Sequence, residues 1–313
     1  MNAELEIIRR AELVALGDSP QRATRLVRAG QLMRLRRGIY VNAEEWRLAE
    51  PAVRHRTSMR SLAAVPRVRP PVFSHESAAV VHGIPLIGAL PPRPHVIVPP
   101  GSTKSSRLVR RTERRLPSGR IDTLEGFHLT DPAMTALDLA AVRSRLGGII
   151  AVSHVRRVHR IDRSALAAEL DAMRPCRFAT RIEHAVAHSL SDSESPLETL
   201  VAVRCADLGF AAPEQQLELV VEGRRYRVDF AWGGGDVVLE ADGRAKYGAL
   251  AAAAGTDGAS VVWAEKQRED AIRTRVRAFG RTDWAAAWDG TELERTLIRL
   301  GVPRVRPPRP LTR

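Results

Sequence analysis

The sequence predicts a multidomain chain of the α+β or α/β class, with an N-terminal winged helix, a mixed middle region and a C-terminal α/β domain. Three observations lead to this prediction. Two helical segments precede a short basic hairpin, a proline-rich stretch at 66–71 marks a boundary, and one helix followed by three strand-like segments begins after residue 195. The expected domains are 1–66, 67–175 and 190–302, followed by a disordered basic tail at 303–313.

The charge balance favours a polyanionic partner. The chain carries 49 Lys and Arg residues against 36 Asp and Glu residues, a formal net charge of +13, and such an excess attracts nucleic acid. Most of the basic residues are arginine, which a GC-rich coding sequence would also produce. The arginines form clusters, however, and clustered charge adds to phosphate affinity. We therefore expect double-stranded DNA as the partner.

Composition also limits the cellular setting. No apolar segment reaches the length of a membrane span, and the N-terminus has no apolar signal core. Cys176 and Cys205 are too few and too far apart for a zinc knuckle or a disulfide framework. We expect a cytoplasmic, nucleoid-associated protein with no membrane partner.

The N-terminal segment predicts two helices and a hairpin. Helical periodicity runs from 4 to 16, and Ser19-Pro20 supplies the cap and first turn of a second helix that ends before Gly30. Two short strands follow at 32–35 and 39–41, with a glycine at the turn between them. This order predicts a winged helix. The alternative is a helical cap whose basic face is only solvated.

In a winged helix, the helix 21–29 would enter the major groove while the arginine-bearing hairpin follows the DNA backbone. A second basic cluster lies between 104 and 120. The residues expected to contact DNA are Arg22, Arg25, Arg28, Arg34, Arg36, Arg37, Lys104, Arg107, Arg110 and Arg111.

The middle region carries little recognisable chemistry. It predicts a helix near 77–82, a strand at 95–98, and amphipathic helices at 132–142 and 163–173. Its histidines are dispersed among apolar neighbours without metal-ligand spacing, so we assign them no role.

The C-terminal segment places three carboxylates on one side of a predicted hairpin. Strands are expected at 225–232 and 237–242, joined by a glycine turn. Because side chains alternate along a strand, Asp229 on the first strand and Glu240 and Asp242 on the second can share one polar face. Alternatively, the three residues are ordinary surface acids, and their position on one face is a coincidence.

Three converging carboxylates repel one another and favour a divalent cation, and oxygen ligands suit Mg²⁺ or Mn²⁺. Asp229, Glu240 and Asp242 are the candidate metal ligands. The ion would polarise a phosphate and acidify an attacking water. Lys246 could supply the catalytic cation, and Glu198 on the preceding helix could reach the ion through a water molecule.

The same segment resembles the domain of unknown function related to very short patch repair endonucleases, within the PD-(D/E)XK superfamily. The resemblance implies a restriction-endonuclease-like domain at 190–302 with a mixed sheet flanked by helices. It also implies Asp229 and Glu240 as metal ligands, beside Asp242. The chain departs from the superfamily pattern, because Asp242 stands where a lysine is usual. The runs that carry the resemblance are SESPLE at 193–198, VDF at 228–230, EADGRAKY at 240–247 and EKQRED at 265–270.

The N-terminal part resembles the winged-helix domain of AbiEi-type antitoxins from type IV toxin–antitoxin systems. The runs LVRAG at 26–30 and RRGIYV at 36–41 carry this resemblance, and ESAAVVHG at 76–83 with 132–140 is similar to the middle region of the same multidomain proteins. It implies DNA binding with an autoregulatory role. A toxin or a DNA-repair protein is the protein partner that these resemblances imply.

Two functional hypotheses follow. The first is a metal-dependent DNA endonuclease or nickase, an enzyme whose winged helix holds the duplex while the C-terminal carboxylates cut it. The second is a DNA-binding transcriptional regulator or antitoxin whose nuclease fold is catalytically inactive. An acidic cleft free of arginine would favour the first hypothesis, and arginines paired with the acids would favour the second.

Overall fold

A computed structural model describes residues 4–15, 21–65, 69–102, 105–242 and 258–311. Contacts divide the chain into a first unit, 1–143 with 165–182, and a second unit, 144–164 with 183–313. The described residues contain three β-sheets and thirteen α-helices, so the chain is a mixed α/β protein. None of the described helices combines the length and the apolar run that crossing a membrane requires.

The N-terminal module is a three-stranded antiparallel sheet with two helices. Its elements are β1 Ile8–Arg9, α1 Arg10–Ala15, α2 Arg22–Arg28, β2 Leu32–Arg36 and β3 Ile39–Asn42. The sheet order is β1-β3-β2. Ala23, Leu32 and Tyr40 form its small buried core. Gly38 adopts a φ of 77° at the turn of the hairpin, a conformation that glycine adopts without strain.

This order, two helices followed by a hairpin, is the arrangement expected for a winged helix. One boundary was predicted wrongly. We expected a continuous helix from residue 4, but Ile8 and Arg9 form a strand that pairs with Tyr40 and Ile39. The hairpin edge offers hydrogen-bond partners that local periodicity does not reveal, so tertiary pairing overrides helix propensity here.

The middle of the chain contains a five-stranded mixed sheet. The strands of this sheet are β4 Val72–Phe73, β5 His95–Val98, β6 Arg110–Glu113, β7 Ile121–Leu124 and β8 Phe127–Thr130. The helices of this part of the chain are α3 Ala43–Leu48, α4 Pro51–Ala63, α5 His75–His82, α6 Pro132–Val142 and α8 Arg163–Ala172. Helix α7, Arg145–Val158, precedes α8 in the sequence and belongs to the second unit. The strand order is β6-β5-β4-β8-β7. Phe73, Val96 and Leu129 from neighbouring strands pack with Met59 of α4 and Ala78 of α5 to form the core.

The second unit contains a four-stranded mixed sheet. The remaining elements are α9 Ala179–Ala187, α10 Pro196–Asp207, β9 Glu214–Val221, β10 Arg224–Trp232, β11 Val237–Ala241, α11 Gly258–Arg275, β12 Ala278–Thr282, α12 Trp284–Asp289 and α13 Thr291–Leu300. The strand order is β12-β11-β10-β9, with β11 and β12 parallel and the other pairs antiparallel. The predicted hairpin of β10 and β11 is present.

Helix α7 lies inside the range predicted for the middle domain, 67–175, yet it packs on α10 in the second unit. Its apolar face, which includes Leu146 and Ile149, is fully buried. Arg145 at its first turn forms a bidentate ion pair with Asp207 of α10, with both N–O distances at or below 2.9 Å. The contacts therefore group α7 with the second unit, since burial of an apolar helix face decides which unit a helix joins.

The basic tail was predicted to be disordered, and this is wrong for residues 303–311. Backbone hydrogen bonds join Val305 N to Gly209 O at 2.8 Å and Arg309 N to Asp207 O at 2.7 Å. The guanidinium of Arg304 lies 4.7 Å from the ring centroid of Phe210. The absence of a side chain at Gly209 permits the close approach of the tail backbone, because a Cβ there would lie 2.1 Å from the carbonyl oxygen of Arg306. Proline-rich composition predicted disorder, whereas the tail finds partners at the end of α10.

Candidate nucleic-acid interface and acidic site

The first candidate site is a basic surface on α2 and on the hairpin of β2 and β3, which we call the basic hairpin (residues 32–42). Arg25 and Arg28 on α2 are exposed, and so are Arg34 and Arg37 on the basic hairpin, whereas Arg22 is half-buried. Exposed guanidinium groups on a helix and an adjacent hairpin can reach phosphates and base edges.

Arg36 has a different role from its neighbours. Its Nε donates to Ser61 Oγ on α4 at 3.0 Å, and its Nη2 donates to the carbonyl oxygen of Leu108 at 3.1 Å. These bonds fix the basic hairpin against α4 and against the turn before β6. The same turn carries the exposed Arg107. The two basic clusters seen in the sequence are therefore neighbours in the fold.

Strand β6 continues this basic surface along an edge of the middle sheet. Arg110 and Arg111 are half-buried on it and point to opposite faces, since side chains alternate along a strand. The backbone amide of Arg111 donates to Ser105 Oγ at 2.8 Å, which fixes the start of the strand. Lys104, also predicted to contact DNA, lies outside the described residues.

The second candidate site is the acidic site on β10 and β11. Phe230 pairs with Leu239 across these antiparallel strands, so Asp229 and Glu240 are the next residues along the ladder. Asp229 Oδ2 accepts a hydrogen bond from the backbone amide of Ala241 at 2.8 Å. The register thus brings two of the three predicted carboxylates together.

Glu240 is buried, and the pKa of its carboxyl group is raised. Burial and the nearby charge of Asp229 together raise its pKa to about 7, while Arg268 opposes the shift. Arg268 Nη2 lies 3.1 Å from Glu240 Oε1 and also donates to the carbonyl oxygen of Arg227 at 2.7 Å.

Glu198 approaches the same pair from α10. Ser195 caps this helix: its Oγ accepts from the backbone amide of Glu198 at 3.2 Å and donates to Glu198 Oε1 at 2.8 Å. Gln216 Nε2 donates to Glu198 Oε2 at 2.9 Å and lies 3.4 Å from Asp229 Oδ1. Burial raises the pKa of Glu198. Gln216 therefore links the acid on the helix to the acid on the strand.

Asp242, the third predicted ligand, is paired with a cation. Arg281 on β12 places Nη1 3.4 Å from Asp242 Oδ2. The same guanidinium is 3.1 Å from Glu265 and 2.8 Å from Glu269, both on α11. The parallel pairing of β11 and β12 brings Arg281 to this position, because Glu240 is aligned with Arg281 in the register.

The described arrangement does not fit the predicted Mg²⁺ or Mn²⁺ ion. Within the described ranges, no group of three or more His, Cys, Asp or Glu side chains is arranged to hold a metal. The guanidinium groups of Arg268 and Arg281 form ion pairs with Glu240 and Asp242, two of the carboxylates that were predicted to bind the metal ion. Lys246, the predicted catalytic cation, lies outside the described residues.

Sequence reasoning assigned no role to three residues that the fold brings to the acidic site: Gln216, Arg268 and Arg281. Arg268 lies within the run EKQRED, which carries the endonuclease resemblance, but the sequence does not reveal that its side chain pairs with Glu240. Gln216 has a φ of 55°, a left-handed conformation that no alternation pattern predicts. Arg281 reaches Asp242 only through a parallel pairing between strands that are distant in the sequence.

Comparison with known families gives two matches. Residues 3–43 match the family described as "Transcriptional regulator, AbiEi antitoxin", and residues 71–187 match the "AbiEi antitoxin C-terminal domain". No curated protein matches the chain at a significant level. Both matches end before residue 188, so the resemblance of the C-terminal part to repair endonucleases remains a prediction. The chain thus contains two segments that are similar to the N-terminal and C-terminal domains of AbiEi antitoxins.

Proposed function

We propose that this protein is a DNA-binding transcriptional regulator of the AbiEi antitoxin type. The observation that carries the proposal is the exposed arginine surface of α2 and the basic hairpin, which lies inside the segment that matches a family of transcriptional regulators. The family matches favour this second hypothesis over the endonuclease hypothesis.

In the proposed complex, α2 enters the major groove of double-stranded DNA with Arg25 and Arg28 directed at base edges or phosphates. Arg34 and Arg37 on the basic hairpin contact the adjacent backbone. Arg36 does not contact DNA but fixes the orientation of the hairpin through Ser61 and Leu108. Arg107 extends the contact from the neighbouring turn.

The acidic site supports the same proposal. Glu240 and Asp242 are neutralised by Arg268 and Arg281, as expected of a domain that is retained for its fold. The antitoxin description also implies a toxin as the protein partner, and we propose that a region outside the basic surface binds it.

Fluorescence anisotropy on a labelled duplex containing the upstream region of the gene tests the proposal. Wild type is compared with Arg34→Ala/Arg37→Ala and with a control, Arg295→Ala/Arg299→Ala on α13. We expect affinity to fall steeply with salt, and the hairpin variant to have a salt slope shallower by about 2 because two phosphate contacts are lost. A flat salt response, or equal binding by all three proteins, would contradict the proposal.

Phosphodiester hydrolysis by the C-terminal domain is the second candidate function. One observation favours it: Gln216 bridges Glu198 and Asp229, and the strand register places Asp229 opposite Glu240. For a metal ion to bind, the ion pairs of Arg268 with Glu240 and of Arg281 with Asp242 would have to break.

Nicking of supercoiled plasmid with added Mg²⁺ or Mn²⁺ tests this candidate, with Asp229→Ala and Glu240→Ala purified in parallel. Metal-dependent nicking that both substitutions abolish would establish the enzyme. Intact plasmid with the wild type, alongside retained DNA binding, would reject it.

A further inference from the structure

We propose that a groove on the middle sheet binds a small organic anion, a carboxylate or phosphate group carried on an apolar body. The groove lies entirely within the first unit and has a volume of about 560 Å³. This volume is typical of sites that bind small molecules. The binding does not depend on the proposed DNA-binding function, so the two can be tested separately.

The floor of the groove is the sheet face opposite the core. Val72 pairs with Ile97 on one side and with His128 on the other, so these three side chains emerge from neighbouring strands on one face. Their neighbours along the strands enter the core on the other face. Ile121 on β7 extends the apolar floor. A ligand therefore needs an apolar part in order to bury this surface.

The rim of the groove is cationic. Arg69 and Arg115 are exposed there, and neither forms an ion pair with a described residue. Arg114 also lines the groove, but both of its terminal nitrogens donate to Asp138 at 2.8 Å, so its charge is balanced. Arg69 and Arg115 thus supply two uncompensated charges to an anionic group at the rim.

The remaining lining residues narrow the ligand class. Among the described residues of the lining there is no carboxylate, and His128 is the only aromatic ring. A nucleobase would find no tyrosine, phenylalanine or tryptophan on which to stack. An aliphatic body with a single anionic end fits the apolar floor and the arginine rim better than a nucleotide does.

The groove differs in character from the basic surface of α2 and the hairpin. DNA phosphates are strongly hydrated and are bound by exposed cations, whereas here the arginines border a concave apolar floor. Duplex DNA, a convex polyanion, has no apolar group that would fill the floor.

The fluorescent anion 8-anilinonaphthalene-1-sulfonate is the first probe, since it joins one anionic group to an apolar body. We expect a single saturable site on the native full-length chain. Arg69→Glu/Arg115→Glu should weaken binding by about tenfold or more, while the charge-matched control Arg224→Glu/Arg225→Glu should bind like the wild type. Circular dichroism melts verify that all three proteins are folded.

Displacement of the bound probe then defines the ligand. We expect decanoate and decyl phosphate to displace it, and 1-decanol or inorganic phosphate at the same concentration to have little effect. Equal displacement by decanol would overturn the proposal, because the charge would not be recognised. Displacement by duplex DNA, or unchanged probe binding in Arg69→Glu/Arg115→Glu, would also overturn it.

Discussion

Arg34 and Arg37 of the basic hairpin face solvent, whereas Arg268 and Arg281 at the acidic site form ion pairs with carboxylates. Arg34 lies on β2 and Arg37 on the turn that follows it, and both are exposed. Arg268 and Arg281 contact Glu240 and Asp242 and are about one-third exposed or less. The same residue type therefore has two functions in one chain. Exposed guanidinium groups are available to a polyanion, and partly buried, ion-paired ones hold acidic side chains in the fold.

Charge reversal on α2 should produce the largest effect. Arg25→Glu/Arg28→Glu is expected to reduce affinity for duplex DNA by roughly 10²-fold or more at physiological salt, because two contacts become repulsive. Anisotropy titration measures this loss. Asp229→Asn/Glu240→Gln serves as the comparison and should bind DNA like the wild type. A comparable loss in the acidic-site variant would remove the distinction between the two regions.

Removal of Arg268 should destabilise the second unit. Arg268→Ala leaves the carboxyl groups of Asp229 and Glu240 together without their cation, and we expect a loss of about 2 kcal/mol after allowance for partial solvent exposure. Urea unfolding at pH 8 measures it. Adding Glu240→Gln to this variant should restore part of the loss. Strict additivity of the two substitutions would show that the residues do not interact.

Neutralisation of Glu240 should change how stability depends on pH. The pKa of Glu240 is raised to about 7 in the fold, so its contribution to stability is complete below about pH 4.5 and is lost as the pH rises through 7. Relative to wild type, Glu240→Gln should therefore gain roughly 3 kcal/mol between pH 4.5 and pH 8. The exposed Glu292→Gln is the control. A constant difference between Glu240→Gln and wild type across this range would contradict the prediction.

The smallest expected effect is a difference in stability between the Arg36→Ala and Arg37→Ala variants. Arg36→Ala loses hydrogen bonds to Ser61 and Leu108 and should reduce the free energy of unfolding by about 1 kcal/mol. Arg37→Ala should leave stability unchanged while weakening DNA binding. Thermal melts and anisotropy titrations of the two variants measure both quantities. Equal stability of the two variants would show that Arg36 does not anchor the hairpin.

Local sequence patterns were sufficient for many elements of the fold. The strand at 95–98 and the helix at 132–142 have the predicted bounds, because apolar periodicity and the Asp131 cap are local signals. The hairpin of β10 and β11 was also predicted, since a glycine turn separates two alternating segments. Such signals act over a few residues and can be read without knowledge of distant partners.

The tail shows where local patterns fail, and the middle histidines show contacts that such patterns do not reveal. The backbone amides of the proline-rich tail donate to carbonyl groups at the end of α10, and the sequence of the tail does not predict these contacts. His75 and His95, which lacked ligand spacing, are buried with their rings stacked at 3.7 Å between centroids. Burial lowers the pKa of His75 to about 4, although Asp138 lies nearby. These contacts join residues that are distant in sequence.

The sequence by itself determined the basic character of the N-terminal module, the AbiEi resemblance and the order of most strands and helices. It also placed Asp229 and Glu240 on one face, since strand alternation is a local property. Only the tertiary structure decided the partners of these acids. Arg281 reaches Asp242 through a parallel strand pairing, and Arg268 reaches Glu240 from a separate helix. Charge compensation depends on distance in space, and that distance is set by packing of the whole unit.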